Sequence, residues 1–539
     1  MLVPNHPFFI PPHVEDSSGV DYLGLRALNL RMMSLLVPGV NNVVTAVRPF
    51  SLICWIVWCY ECQVENLETE LGSKRFEQFK QKVEILYVWS HVAAGLGEGL
   101  VGNQQKIPAP EHSADGGPAR IPLNFNAVAR TGSFLDAAQY GPSLKAPHGL
   151  GFIYPLKGGV FKVMDPGRQL AKALDESLKA HLTDEQYKTL RSPEIVKGCL
   201  EDWPGLLDAW HVDRPTQAEQ DVFHAQLLQE GAVGLDDPPA YRSSLLYVCR
   251  EILREQAKPM SASDLRRWIA CQPLPAALAD HEAQARFHDI KRRWQVLQVR
   301  QAQRLALEGL FGWVERCLIF ADATSVAELA ALTCDALGME PAGSHKLRTR
   351  LKEFSYGDTD IDVLFSAAGQ FQGASLFDEM DALERALKKK TLAADVVPRC
   401  LNMLLRCATF ACAFKSDSIA KSAASSGEPF RMPLGNWDAL MLRFADRPVS
   451  AFIEHLLGTH IVSQHWKIAA SRSTDERSRL RFTPEDRGLT SLLGATQTAL
   501  SPERTGDRLQ HVMALMASSG GVQADAPLRK AGSNPLFSV

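Results

Sequence analysis

Three histidines stand at five-residue intervals in one apolar run, His455, His460 and His465 within VSAFIEHLLGTHIVSQHWKIAASR. Imidazoles bind transition metals and move protons near neutral pH, and Glu454 would add a carboxylate for acid–base work. On an α-helix the interval is wrong for a shared ligand. Five residues turn through about 500°, so each ring is displaced from the last by roughly 140°. Helical metal pairs use intervals of three or four. The spacing therefore predicts satisfied core histidines with one exposed ring. A two-histidine site, with Glu454, His455 and His460 as the alternative catalytic residues, requires a break at Gly458. No metal and no other cofactor is expected.

Positive side chains form the second chemical pattern. Lys467, Arg472, Arg477, Arg479, Arg481 and Arg487 place six cations within twenty-one residues, partly offset by Asp475, Glu476, Glu485 and Asp486. A second run comprises Arg286, Lys291, Arg292, Arg293, Arg300 and Arg304, with Asp289 the only acid between its ends. Arginine and lysine supply most contacts to nucleic-acid backbones, and several such contacts make binding strongly salt dependent. The nucleic-acid-binding expectation therefore rests on Arg286, Lys291, Arg292, Arg293, Arg300, Arg304, Lys467, Arg472, Arg479 and Arg481. The competing reading is a solvated face carrying surface ion pairs.

Other patterns fail their context. Cys59 and Cys62 form a lone CxxC at the end of an apolar helix, without the second pair that a zinc site needs. Gly97–Gly102 matches GxGxxG but follows a helix rather than a strand. No Walker A sequence occurs, so ATP use is not expected. Asp280 with Asp289 and Lys291, and His288 with Asp289, imitate fragments of nuclease and phosphohydrolase motifs inside a helix, without partner residues. A glycine-flanked serine nucleophile is absent.

Behind these residues lies a chain that reads as mainly α. Its 539 residues are long enough for two to four domains, and its 46% hydrophobic and 22% charged content is that of a globular protein. A net charge of −3 gives no global attraction to polyanions, so any nucleic-acid contact must be local. Eleven scattered cysteines, and an N-terminal MLVPNHPFFIPP without the marks of a secretory signal, lead us to expect a reducing, cytoplasmic setting. The most apolar stretch, Phe50–Tyr60, is about half the ~20 residues that span a bilayer, which makes it a buried core helix. No membrane partner is expected.

Prolines make residues 1–19 extended. Helices are predicted at Tyr22–Leu36, then after Thr45 as N-cap with Pro49 in the first turn, and at Lys74–Ala94. A loop at Gly95–Gly117 and a linker at Pro108–Pro118 follow. Ser133–Tyr140 reads as helical. Gly151–Leu156 and Val160–Met164 read as strands joined by Lys157-Gly158-Gly159. Asp165, as N-cap before Pro166, opens a helix through Leu182. That order suggests a small winged-helix-like α+β module. Beyond Ser192 the chain reads as helical, with Leu245–Arg254, Ala262–Cys271, Glu282–Phe320, Ser325–Leu337, Leu376–Lys390, Val396–Phe414 and Asp507–Ala517 clearest. The apolar phase drifts along the long element, which predicts a bend or break near Gly309 or Gly312. Ser422–Gly427 reads as flexible, and the final residues as frayed. The expected division is 1–107, 120–190, 192–421 and 428–539, the last holding the basic segment.

Two stretches, LLVPGVNNVVTAVRPFSLICWIVW at Leu35–Trp58 and HIVSQHWKIAASR followed by RLRFTPEDRGL, resemble poorly characterised helical proteins of bacterial anti-phage defence islands. They cover about a tenth of the chain. The resemblance implies a partner-dependent role beside a helicase, nuclease or methyltransferase from the same operon, and carries no catalytic motif. Sequence and resemblance together lead us to expect a nucleic-acid-associated, non-catalytic subunit that senses DNA or acts as a scaffold. The alternatives are a metal-dependent nuclease or phosphohydrolase using Glu454–His465, and a pure assembly scaffold.

Overall fold

The computed structural model describes residues 21–64, 67, 70–101, 107–111, 118–123, 133–194, 196–229, 238–279, 281–339, 345–357, 359–388, 395–472, 479–493, 500, 502–526 and 534–539. The protein is mainly α, at 62% helix and 7% strand. Its chain divides into two compact units, each gathered from separate segments: residues 1–33, 267–273 and 288–505 in the first, and 34–266, 274–287 and 506–539 in the second. The proline-rich start, most of the Pro108–Pro118 linker, Gly102, Asp280 and Arg477 lie outside the described residues.

In the second unit the apolar stretch becomes the helix Arg48–Glu61, with all but two of its fourteen residues buried. Pro49 occupies its first turn as expected, but the capping position is Val47, which makes no side-chain cap; Thr45 does not cap it. The helix packs against Asp165–His181. Trp55 Nε1 donates to Asp175 Oδ1 at 2.9 Å, and Tyr187 Oη donates to the same oxygen at 2.7 Å. Asp165 also does not cap its helix. It is the first helical residue, and Met164 holds the capping position. The hairpin preceding it pairs Ile153–Pro155 with Phe161–Val163 antiparallel, Gly158 and Gly159 turning at positive φ. Residues 133–140 form turns rather than a helix, and the short helix begins at Gly141. The end of the chain is not frayed. Leu536–Ser538 is the middle strand of a three-stranded sheet, between Met260–Ser261 and Gln523–Ala524, with Phe537 fully buried.

The first unit is built on the helix Gln284–Phe320, of which it holds residues 288–320. At 1.5 Å per residue the helix is about 55 Å long. No break occurs at Gly309 or Gly312. A Cβ at Gly309 would lie 2.7 Å from Cys400 Sγ, and one at Gly312 would lie 2.6 Å from the Leu500 carbonyl oxygen. These glycines admit neighbours rather than bend the chain. The apolar phase drifts because nearly every side from Ile290 to Leu318 is buried. Val396–Ala413 packs on Leu434–Phe444 and Leu376–Leu387. It and the turn to Ser416 form the one described helix long and apolar enough to cross a membrane, yet 78% of the relevant window is buried in the protein. Ser422–Gly427 is not a flexible joint. Ser418–Ser425 is helical, capped by Asp417, with Ala423 and Ala424 buried. A hairpin the sequence did not suggest joins Phe482–Glu485 to Gly488–Ser491.

Candidate functional site

The cations of the long helix turn inward. Lys291, Arg292, Arg300 and Arg304 are 6%, 8%, 1% and 7% exposed. Asp362 takes Lys291 at 3.2 Å and Arg292 at 2.8 Å, and Asp417 takes Arg292 at 3.1 Å. Arg293 pairs with Asp289 at 2.8 Å. Arg300 donates to the carbonyls of Arg431 and Met432, and Arg304 pairs with Glu308 at 2.8 Å and reaches Thr505. These groups satisfy one another, some within the helix and some with segments remote in sequence, as buried charge must. Only Arg286 behaves differently. It lines a cavity in the second unit.

The basic tail is likewise divided. Arg481 pairs with Glu315, which is almost fully buried, and Arg472 donates to the Asp21 carbonyl at 3.0 Å. Lys467, on the helix Gln464–Arg472, and Arg479 are exposed. The sequence-expected cations therefore do not assemble into one groove within the first unit.

The histidines depart from the spacing argument. Between Val449–His455 and Gln464–Arg472 the backbone is a π-helix, Leu456–Ser463. A π-turn bonds residue i to i+5, which stacks residues five apart instead of splaying them. Ser463 Oγ donates to the Gly458 carbonyl at 2.8 Å across that interval. His455 and His460 accordingly meet edge to face, ring centroids 5.4 Å apart at 82°. No break at Gly458 is needed. His455 also stacks on Phe444 at 4.8 Å, with Nδ1 3.3 Å from Thr459 Oγ1. His460 lies against Trp437, and its Nε2 is buried without a hydrogen-bond partner. Burial, helped by the neighbouring His455, pulls the His460 pKa down to about 4. Burial, then Arg443 and Arg447, lowers that of His455.

His465 belongs to the core. Its Nδ1 is 3.2 Å from the Tyr22 carbonyl, and Nε2 accepts from Arg481 N at 3.0 Å. Burial takes its pKa down to about 4. Glu454 is exposed, and no cluster of three or more potential metal ligands occurs among the described residues. Cys59 and Cys62 are free thiols, the first buried and the second exposed.

Exposed positive charge gathers instead where two distant segments pair. Residues 345–348 run beside 445–449. Leu347 N bonds Arg447 O at 3.0 Å, Arg348 N bonds Ala445 O at 2.8 Å, and Val449 N bonds His345 O at 3.0 Å. This pairing brings Lys346 and Arg348 beside Arg443 and Arg447, all exposed. Arg443 and Arg447 lie over the Phe444 ring at 5.6 and 5.2 Å, and neither has a carboxylate partner among the described residues. Asp446 is the acid of the group. Arg348 binds it at 2.9 Å and, with Lys346, holds its carboxyl below the usual range. Lys352, one turn beyond Arg348, extends the same helix face. The signal was legible as four cations in seven residues, Lys346–Lys352, and as Arg443 and Arg447 flanking an aromatic residue. What sequence could not supply was the backbone pairing that joins them. The arrangement is an electropositive surface on an aromatic base, suited to phosphate groups.

No protein-family model, curated protein or solved structure matches this chain.

Proposed function

We propose that the protein is a nucleic-acid-associated, non-catalytic subunit of a bacterial anti-phage assembly, and that it touches nucleic-acid phosphates through Lys346, Arg348, Arg443 and Arg447. The observation that carries this reading is the exposed cluster itself: four cations around one acid, over Phe444, on a chain of net charge −3. Local positive surfaces of this kind recruit nucleic acid without global charge. The defence setting, and an operon-encoded helicase, nuclease or methyltransferase as partner, rest on the resemblance of Leu35–Trp58 and the His460–Leu489 region.

The test is duplex-DNA binding by fluorescence anisotropy, titrated with salt in the presence of operon partners. Binding that weakens steeply with salt, and whose salt slope falls on reversing Arg443 and Arg447, supports the reading. Undetectable binding at low salt, or binding indifferent to the reversal, sinks it.

The meeting of His455 with His460 favours a second reading, a metal-dependent nuclease or phosphohydrolase. Two imidazoles make half of a typical zinc site, so a further ligand would have to come from outside the described residues. Metal copurifying with the protein and lost in His455→Ala would replace the first reading with this one.

A further inference from the structure

We propose that the cavity in the second unit, walled by the helix Pro238–Gln256 and the segment His281–Phe287, binds a small phosphorylated ligand of the nucleotide class. The cavity encloses about 460 Å³, within the range of small-molecule sites. Ser243, Tyr247 and Arg250 line it from successive turns of one helix face. Arg286 and Phe287 line it from the opposite wall, and Met516 adds an apolar contact.

The charge balance is what singles it out. Arg250 and Arg286 are both half-buried, and neither has an acidic partner among the described residues. The Nε of Arg250 is buried with no hydrogen-bond partner among the described residues. Glu282, the acid in the lining, is exposed and does not pair with Arg286. Several buried arginines are matched by acids, Arg48 with Glu219 at 3.1 Å, Arg292 with Asp362, Arg304 with Glu308 and Arg406 with Glu379 at 2.6 Å, while Arg242 and Arg300 are matched by backbone carbonyls. Here two guanidiniums without an acid or carbonyl partner among the described residues line one hollow, and their planar forks suit the oxygens of a phosphate. The charge of Arg250 is felt nearby: after burial, it is what lowers the His224 pKa.

The rest of the wall is aromatic. Tyr247 stacks on Phe287 with centroids 5.7 Å apart at 6°, and His281 lies 5.1 Å from each. Tyr247 and His281 are only half-buried. Aromatic faces of this kind take a planar heterocycle by stacking. Two arginines together with an aromatic platform in one cavity match a nucleoside phosphate better than a bare anion.

The experiment is isothermal titration of the full chain with AMP, UMP, adenosine and inorganic phosphate, alongside Arg250→Met, Arg286→Met and Tyr247→Ala. Arg250→Lys and Arg286→Lys, with melting temperatures for every variant, separate lost recognition from lost folding. AMP or UMP is expected to bind more tightly than phosphate or adenosine. Each arginine-to-methionine change should weaken it about ten- to a hundredfold, the lysine forms less. Tyr247→Ala should weaken the nucleotide and leave phosphate unaffected. No heat with either nucleotide at millimolar concentration overturns the proposal. So does binding indifferent to both arginines in folded variants, and so does phosphate binding as tightly as AMP with Tyr247→Ala silent.

Discussion

The long helix and the exposed surface around Phe444 use the same side chains for opposite ends. On the helix, Lys291, Arg292, Arg300 and Arg304 are sunk among Asp362, Asp417, Glu308 and backbone carbonyls. At the surface, Arg443 and Arg447 lie in solvent over an aromatic ring with Asp446 as the neighbouring acid. Counting cations along the chain ranks the helix first. Geometry reverses the order, because a buried cation already bonded to an acid or a carbonyl has neither the reach nor the free donors to hold a phosphate. Positive charge informs on binding only after its internal partners are subtracted.

The comparison breaks most visibly in stability. Arg304→Met strands Glu308, which is 5% exposed at its side chain, without its pair. Removing one partner of a buried pair costs about 3–5 kcal/mol, and urea denaturation should show a loss of that order. A loss below about 1 kcal/mol would mean the helix cations are not structural. The converse variant, Arg443→Glu with Arg447→Glu, should leave the denaturation midpoint nearly unchanged, since exposed substitutions cost within about 0.5 kcal/mol. It should still weaken duplex-DNA binding roughly a hundredfold near 0.1 M salt and reduce the salt slope by about 2, one phosphate contact per arginine.

Acid sharpens the contrast on a smaller scale. The pKa of His465 is held down to about 4 in the folded protein, against an ordinary value near 6.5. The unfolded chain therefore binds the proton first. The stability His465 contributes is complete above about pH 6.5 and is lost as pH falls toward 4. The loss is about 3 kcal/mol, and His465→Phe should flatten that limb of a denaturation-versus-pH curve. Asp362 behaves alike at lower pH. Burial opposes its ionisation, but Arg292, Gln295 and Lys291 outweigh it and hold the carboxyl well below the usual range. Asp362→Asn should cost about 1 kcal/mol at pH 7, discounted for a half-exposed carboxylate, and the gap from wild type should close as pH drops below about 4. The smallest effect is expected at Lys467 and Arg479. Reversing both should change DNA binding by about twofold or less, since they stand outside the Phe444 cluster; a tenfold loss would return the basic tail to the interface.

Much of the helical layout was legible because apolar spacing reports burial directly. Ala262–Cys271 matches its predicted bounds, and Ser325 and Ser375 sit at helix starts whose third residues are Glu328 and Asp378. The failures share one cause, dependence on residues far away in sequence. Nothing near Arg292 announces Asp362, seventy positions on. The strand Leu536–Ser538 looks unanchored in sequence until Met260 and Ala524 pair with Phe537 from either side. Gly309 and Gly312 read as weak points until Cys400 and Leu500 fill the space they leave. At the candidate site, the five-residue histidine interval was read with α-helical geometry, and no composition signal marks where a backbone widens to π.

That widened turn at Leu456–Ser463 has a genetic consequence. A π-bulge accommodates one residue more than the α-helix it interrupts, so deleting a single codon there would let the segment rewind. A deletion between the two histidines would leave them four residues apart on an α-helix, still on one face, with Gln464–Arg472 kept in register with the residues it grips. The encounter of the two imidazoles thus depends on matching interval to backbone: five residues across the π-turn, or four across an α-helix that lacks it.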